Sequence, residues 1–158
     1  EIPCNCLLIK DFAKLFDGFS IGSNDLAQLT LGIDRNSTML QKELGRLEQD
    51  KAVLAMIKMA ITGAHEAGKP IGICGEAPAN DQKLVQFLVE LGITYISVNP
   101  SSVLPTLKAC VEAEADVARR HYQTRTKSPG MEVLEKDICE HEPEATIFPL
   151  GCVYKDMA

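Results

Sequence analysis

Four consecutive residues, Gly22, Ser23, Asn24 and Asp25, combine what is needed to hold an anion and a divalent metal together. They lie in the segment GFSIGSNDLAQLTLGIDR, Gly18 to Arg35, at the tip of a predicted strand over Gly18 to Gly22. Glycine lets the backbone approach a ligand closely, and a strand-to-helix junction exposes N–H groups that cradle phosphate. Asn24 adds a donor and Asp25 a hard oxygen ligand, so the pattern points to phosphate-plus-magnesium chemistry. The same letters also suit a helix start with a side chain capping the first turn, and local sequence does not separate the two readings.

A second reactive group is Cys74, set between Gly72 and Gly75 at the end of a predicted strand over Ile71 to Cys74. A thiol titrates near ~8.5 and can act as base or acid around neutral pH. The alternative is a small apolar core residue, which the flanking glycines and the strand-end position disfavour. Glu76 follows and is a candidate for orienting the loop or the thiol. Other features imitate chemistry. Gly63 to Lys69, GAHEAGK, has the spacing of a nucleotide-binding loop, but it closes a helix, and Pro70 stands where Ser or Thr is required. Cys4-Asn5-Cys6 and Cys139-Glu140-His141 lack a partner pair at zinc-binding spacing. His65, Asp34 and Arg35 read as surface residues, with Arg35 fixing the loop that follows the first strand.

The elements that must position these groups alternate along the chain. A helical turn is expected over Asp11 to Phe16 and another over Leu26 to Leu31, with a polar loop from Arg35 to Thr38. The clearest helix runs from Asp50 to Ala67, where Val53, Leu54, Met56, Ile57, Ala60, Ile61 and Ala64 recur at helical spacing before Gly68 and Pro70. An amphipathic helix over Asp81 to Leu91 and a β-branched strand over Thr94 to Val98 follow. A helix capped by Ser101 or Ser102 then runs from Val103 to about Tyr122. Strands alternating with helices imply βαβ units and a parallel sheet, in which catalytic groups gather where strands end. Glu1, Gly22 to Asp25, Cys74 and Asn99 are all expected at such ends. Beyond Gln123 the pattern dissolves into an acidic segment, 124–158, read as flexible or as a docking segment.

Composition bounds the partners. The chain has 158 residues, 46% of them apolar and 24% charged, as in an ordinary globular domain. Its net charge of −6 and lack of a basic cluster argue against nucleic-acid binding. No apolar run reaches the ~18 residues of a membrane span, and the start does not resemble a signal peptide, so a cytoplasmic setting with reduced cysteines is expected.

Three blocks, in order, resemble the phosphoenolpyruvate-utilising enzymes: GSNDLAQLTLGIDRNS from Gly22 to Ser37, GICGEAPAN from Gly72 to Asn80, and LVELGITYISVNPSSV from Leu88 to Val103. The resemblance covers Glu1 to about Val111. Its details lean toward the branch that makes phosphoenolpyruvate from ATP, pyruvate and water, ahead of the pyruvate phosphate dikinase and sugar-phosphotransferase branches. It implies an α/β fold, the C-terminal half of a TIM (β/α)8 barrel, with residues 1–123 forming the partial barrel. A whole barrel takes about 250 residues, so the chain, which opens on Glu1 inside the family's EIP motif, reads as a fragment.

The resemblance further implies that Glu1 and Asp25 ligate Mg2+, and that Gly22, Ser23 and Asn24 bind oxygens of pyruvate or phosphoenolpyruvate. Cys74 is implied to exchange a proton with the substrate's C3. Family members move a phosphoryl group between a phosphohistidine on another domain and the enolate of pyruvate. The partners implied are that domain, an ATP-binding domain and further copies in a homo-oligomer, and the fragment alone is expected to be inactive. A half-barrel that serves only in assembly is the reading from a different class. For Glu1 the alternative is a solvated terminus.

Overall fold

A computed structural model describes residues 1–34, 37, 47–75 and 77–126. Two short helices, α1 (Pro3–Leu7) and α2 (Ile9–Phe12), precede strand β1 (Phe19–Gly22), which runs straight into α3 (Ser23–Leu31). After a 3-10 turn at Leu47–Gln49 come α4 (Lys51–Glu66), β2 (Ile71–Cys74), α5 (Ala77–Asn80) and α6 (Gln82–Glu90). Strand β3 (Tyr95–Ser97), a 3-10 turn at Pro100–Ser102 and α7 (Val103–Thr126) complete the described order. The sheet is parallel throughout, in the order β1-β2-β3. Phe19 to Gly22 pair with Ile71 to Cys74, and Gly72 to Cys74 pair with Tyr95 to Ser97. The α/β alternation and parallel sheet expected from the sequence are present and consistent with half a barrel.

Helix α4 organises the core. Asp50 caps it by accepting a hydrogen bond from the Ala52 backbone N–H at 2.8 Å, which satisfies one of the orphan donors of a helix start. Its Val53, Ile57, Ala60, Ile61 and Ala64 are buried against Ile21, Ile71 and Ile73 of the sheet and Leu26 and Ala27 of α3. Asp81 caps α6 in the same way, accepting from Lys83 N–H at 3.0 Å, and Leu84, Val85 and Leu88 turn inward.

One face of the sheet is thus dry. Side chains alternate across a strand, so Ser20, Gly72, Cys74, Tyr95 and Ser97 share the opposite face, where Ser20, Cys74, Tyr95 and Ser97 are exposed. Parallel sheets ordinarily bury both faces; this one buries one.

Several expected elements shift. Helix α3 begins at Ser23 rather than Leu26, α7 continues to Thr126 rather than ending near Tyr122, and the stretch before Asp11 is helical from Pro3. Glu1 has no strand of its own and stands ahead of α1, in which Pro3 occupies a first-turn position that needs no N–H donor. No helix among the described residues is long and apolar enough to cross a membrane.

Candidate functional site

The junction of β1 and α3 is built with no loop. Gly22 closes the strand and is also the N-cap of α3 (φ −86°, ψ 97°), and no side chain caps the helix. Gly22, not Ser23, is therefore the N-cap. Ser23 enters the first turn instead, where its Oγ is fully buried and has no hydrogen-bond partner among the described residues. An unsatisfied buried hydroxyl costs about 1–3 kcal/mol. It stands beside first-turn N–H groups that no side chain caps, the arrangement in which a helix start receives an anion. Asp25, half-buried in the same turn, puts its carboxylate where the helix dipole favours negative charge.

Three close approaches assemble the remaining groups. The Glu1 side chain is laid over Gly22: a Cβ on that glycine would lie 2.8 Å from Glu1 Oε1. Gly75, at φ 143°, faces the Ser23 hydroxyl and has Asn24 Oδ1 within 3.6 Å of where its Cβ would be. Cys74, just before it, is exposed and pairs with Gly22 in the sheet register. Period-two alternation then puts Glu1, lying over Gly22, on the same bare face as Cys74. One row toward the strand starts, Ser20 donates to Cys74 Sγ at 3.9 Å. Beside it, the Tyr95 ring fills the space over Gly72 and donates its hydroxyl to the Phe19 carbonyl at 2.8 Å.

Glu1, Gly22, Ser23, Asn24 and Cys74 thus come together at the ends of β1 and β2, with Asp25 in the adjoining helical turn. Asn99 is exposed two residues beyond β3 and leads the Pro100–Ser102 turn, whose Ser102 N–H it accepts at 2.9 Å through its backbone carbonyl. Arg35, Glu76, Cys139 and His141 lie outside the described residues. Among the described residues no group of three or more His, Cys, Asp or Glu is arranged to hold a metal. Cys4 is exposed and Cys6 buried, both as free thiols. Burial pushes the Cys6 thiol above its ordinary value. The GAHEAGK segment ends α4 at Glu66 and turns through Gly68 at φ 68°, so it is a helix terminus.

Ser20 and Tyr95 carried no chemical signal in the sequence. Their proximity to Cys74 depends on the pairing of three strands, and the one legible clue was the unexplained Gly72 inside an apolar strand, a mark of close approach.

Residues 1–115 match the family model described as PEP-utilising enzyme, PEP-binding domain. The chain belongs to this family. This PEP-binding domain is similar to the phosphoenolpyruvate synthase of Synechocystis sp., with 50% identity over 114 residues, covering 72% of the chain and 14% of that protein. With the phosphoenolpyruvate synthase of Helicobacter pylori it shares 48% identity over 117 residues, 74% of the chain and 14% of the relative. With that of Escherichia coli it shares 44% over 112 residues, 71% and 14% respectively. The chain spans 14% of the length of each of these relatives. The matched stretch of the PEP-binding domain includes every group at the β1 and β2 tips.

Proposed function

We propose that this PEP-binding domain holds pyruvate or phosphoenolpyruvate at the tips of β1 and β2, as part of a phosphoenolpyruvate synthase. Across the whole protein, ATP, pyruvate and water become phosphoenolpyruvate, AMP and phosphate. The phosphoryl group comes from a phosphohistidine on another domain, itself charged through an ATP-binding domain. The observation that carries this reading is the convergence at one end of the sheet of an uncapped helix start, an orphaned Ser23 hydroxyl, the Glu1 carboxylate and the Cys74 thiol.

The donor set fits magnesium. Two carboxylates, Glu1 over Gly22 and Asp25 in the adjoining helical turn, are hard oxygen ligands that would hold the ion, with ligand oxygens and water completing its shell. When bound, Mg2+ supplies positive charge to the carbonyl oxygen as it becomes an enolate. The chain's own residues do the rest. The α3 first-turn N–H groups and the Asn24 amide hold carboxylate or phosphoryl oxygens in prearranged positions. Cys74 Sγ, as thiolate, takes a proton from the pyruvate methyl. The C–H electron pair becomes the C2–C3 double bond, and the enolate oxygen attacks phosphorus while the histidine nitrogen leaves. In reverse, the Cys74 thiol returns the proton to C3.

Strands from outside this chain would pair with the edges β1 and β3 and cover the bare face, closing a (β/α)8 barrel. A cytoplasmic homo-oligomer accords with this reading, and the 158-residue chain alone is inactive. Calorimetry of the chain with phosphoenolpyruvate, with and without magnesium, tests the site. Binding that needs magnesium and is lost in Asp25→Ala is the expected result; binding that survives Asp25→Ala overturns it. A folded sample that gives no heat at all favours the non-catalytic half-barrel.

A further inference from the structure

We propose that Ser20 is a positioning residue for Cys74, holding the sulfur at the β2 tip through a hydrogen bond from the hydroxyl. This rests on the reading of Cys74 as the group that moves a proton, and it adds a residue to that step.

The geometry comes from the register. Ser20 pairs with Gly72, one row below the Gly22–Cys74–Ser97 row. A side chain on residue 72 would stand between Ser20 and Tyr95 on the bare face. Glycine leaves that space open, the Tyr95 ring fills it from β3, and the Ser20 hydroxyl reaches diagonally up to Cys74 Sγ at 3.9 Å. The Tyr95 hydroxyl bonds the carbonyl of Phe19, next to Ser20, at 2.8 Å and so ties β3 to β1 across β2. Ser20 is therefore carried on an edge strand held by its pairing with β2 and by the Tyr95 hydroxyl reaching across from β3, while Cys74 sits at the strand end, where its neighbour Gly75 turns away at φ 143°.

A donor aimed at a group that is charged in one state and neutral in the other stabilises the charged state. A hydroxyl is the side chain suited to this place, because it donates to the thiolate and rotates away without cost when the thiol is protonated. Among the described residues, the titratable groups on the elements around Cys74 are the carboxylate and α-amino group of Glu1, whose side chain lies over Gly22, Asp25 in the first turn of α3 and Tyr95 in β3. Replacing Ser20 alters none of them, so a change in Cys74 behaviour is traceable to the hydroxyl.

The test is alkylation of the full 158-residue chain with iodoacetamide across pH, read peptide by peptide by mass spectrometry, with exposed Cys4 as internal control. In Ser20→Ala the midpoint of the Cys74 profile moves to higher pH, because the donor is gone. The Cys4 profile stays in place. Ser20→Thr keeps the parent midpoint and Ser20→Val, of the same shape without the donor, follows Ser20→Ala. An unmoved Cys74 midpoint in folded Ser20→Ala or Ser20→Val overturns the proposal, as does a shift shared by Cys4. The readout needs neither substrate nor metal. Failure of phosphoenolpyruvate binding with a retained Ser20 effect would count against the proposed function alone.

Discussion

Alanine at position 75 would put a methyl group where the Ser23 hydroxyl now lies, in a backbone conformation, φ 143°, that L side chains rarely adopt. The backbone penalty for a non-glycine residue there is about 1–3 kcal/mol. Crowding a fully buried side chain adds about 1–3 kcal/mol, since Ser23 has no exposed surface through which to move aside. The two costs share some relief, so a net loss of about 3 kcal/mol is expected, and with a urea dependence of about 1–3 kcal/mol/M the midpoint falls by about 1–3 M. Circular dichroism during urea titration measures it.

Adding Ser23→Ala to Gly75→Ala separates the two costs. It removes Oγ and leaves Ser23 Cβ 3.3 Å from the new methyl, close to ordinary contact. The double variant should recover about half of the midpoint shift, leaving the backbone part. Gly22→Ala is the contrasting control. The nearest atoms to its methyl would be those of the exposed Glu1 side chain, at a φ of −86° that any residue accepts. Stability should stay within about 0.5 kcal/mol of the parent, while magnesium-dependent ligand binding weakens because the Glu1 carboxylate is displaced. A Gly75→Ala protein as stable as the parent, or a double variant that recovers nothing, would refute the packing of Gly75 on Ser23.

Two further outcomes are expected. In a full-length protein containing this chain, Cys74→Ala abolishes hydrogen exchange at the pyruvate methyl while histidine phosphorylation continues; equal loss of both partial reactions rejects the role of Cys74. Cys6, whose thiol burial pushes above its ordinary value, links stability to alkaline pH. The unfolded chain gives up this proton first as pH rises, so the contribution is intact below about pH 8.5 and is lost as pH climbs toward the folded-state value. The parent should therefore lose stability above about pH 8.5 more steeply than Cys6→Ala, by urea midpoints at each pH; parallel slopes would contradict it.

How far the chain could be read from its letters depends on the range of the interactions involved. The α4 pattern was legible because Val53, Ile57, Ala60, Ile61 and Ala64 recur over about three turns and Asp50 supplies a local cap. Strand β2 was legible because Ile71 to Cys74 is bounded by Pro70 and Gly75. The start of α3 was not, because Gly22 serves at once as strand end and N-cap and Ser23 enters the helix without capping it. Helix α1 escaped because Pro3 to Leu7 makes little more than one turn, too short for a period to emerge. At the site, the letters of Gly22 to Asp25 and Cys74 announced their chemistry. That Glu1 would lie on Gly22, or Tyr95 across Gly72, required contacts between residues 21 and 23 positions apart, which no local pattern encodes.

The one-sided burial of the sheet has a physical consequence for what the bare face is for. A strand buried on both faces reads as a continuous apolar run, whereas FSIG, IGIC and YIS alternate, with Ile21, Ile71 and Ile73 inside and Ser20, Gly72, Cys74 and Ser97 on the other face. Burying serine, glycine and cysteine against another layer returns little, because hydrophobic stabilisation scales at about 25 cal/mol per Å2 of apolar area and these side chains carry almost none. Exposed apolar area lies instead on and beside the helices, at Leu7, Leu15, Leu104, Leu107 and Val111. A face poor in packing value but rich in hydroxyls, a thiol and glycine-lined approaches is suited to meeting a small polar ligand, with Tyr95 as its one large side chain closing the floor two residues below Cys74. The same reasoning assigns association with other chain segments mainly to the helical exterior and to the unpaired strand edges, and leaves the inner face to chemistry.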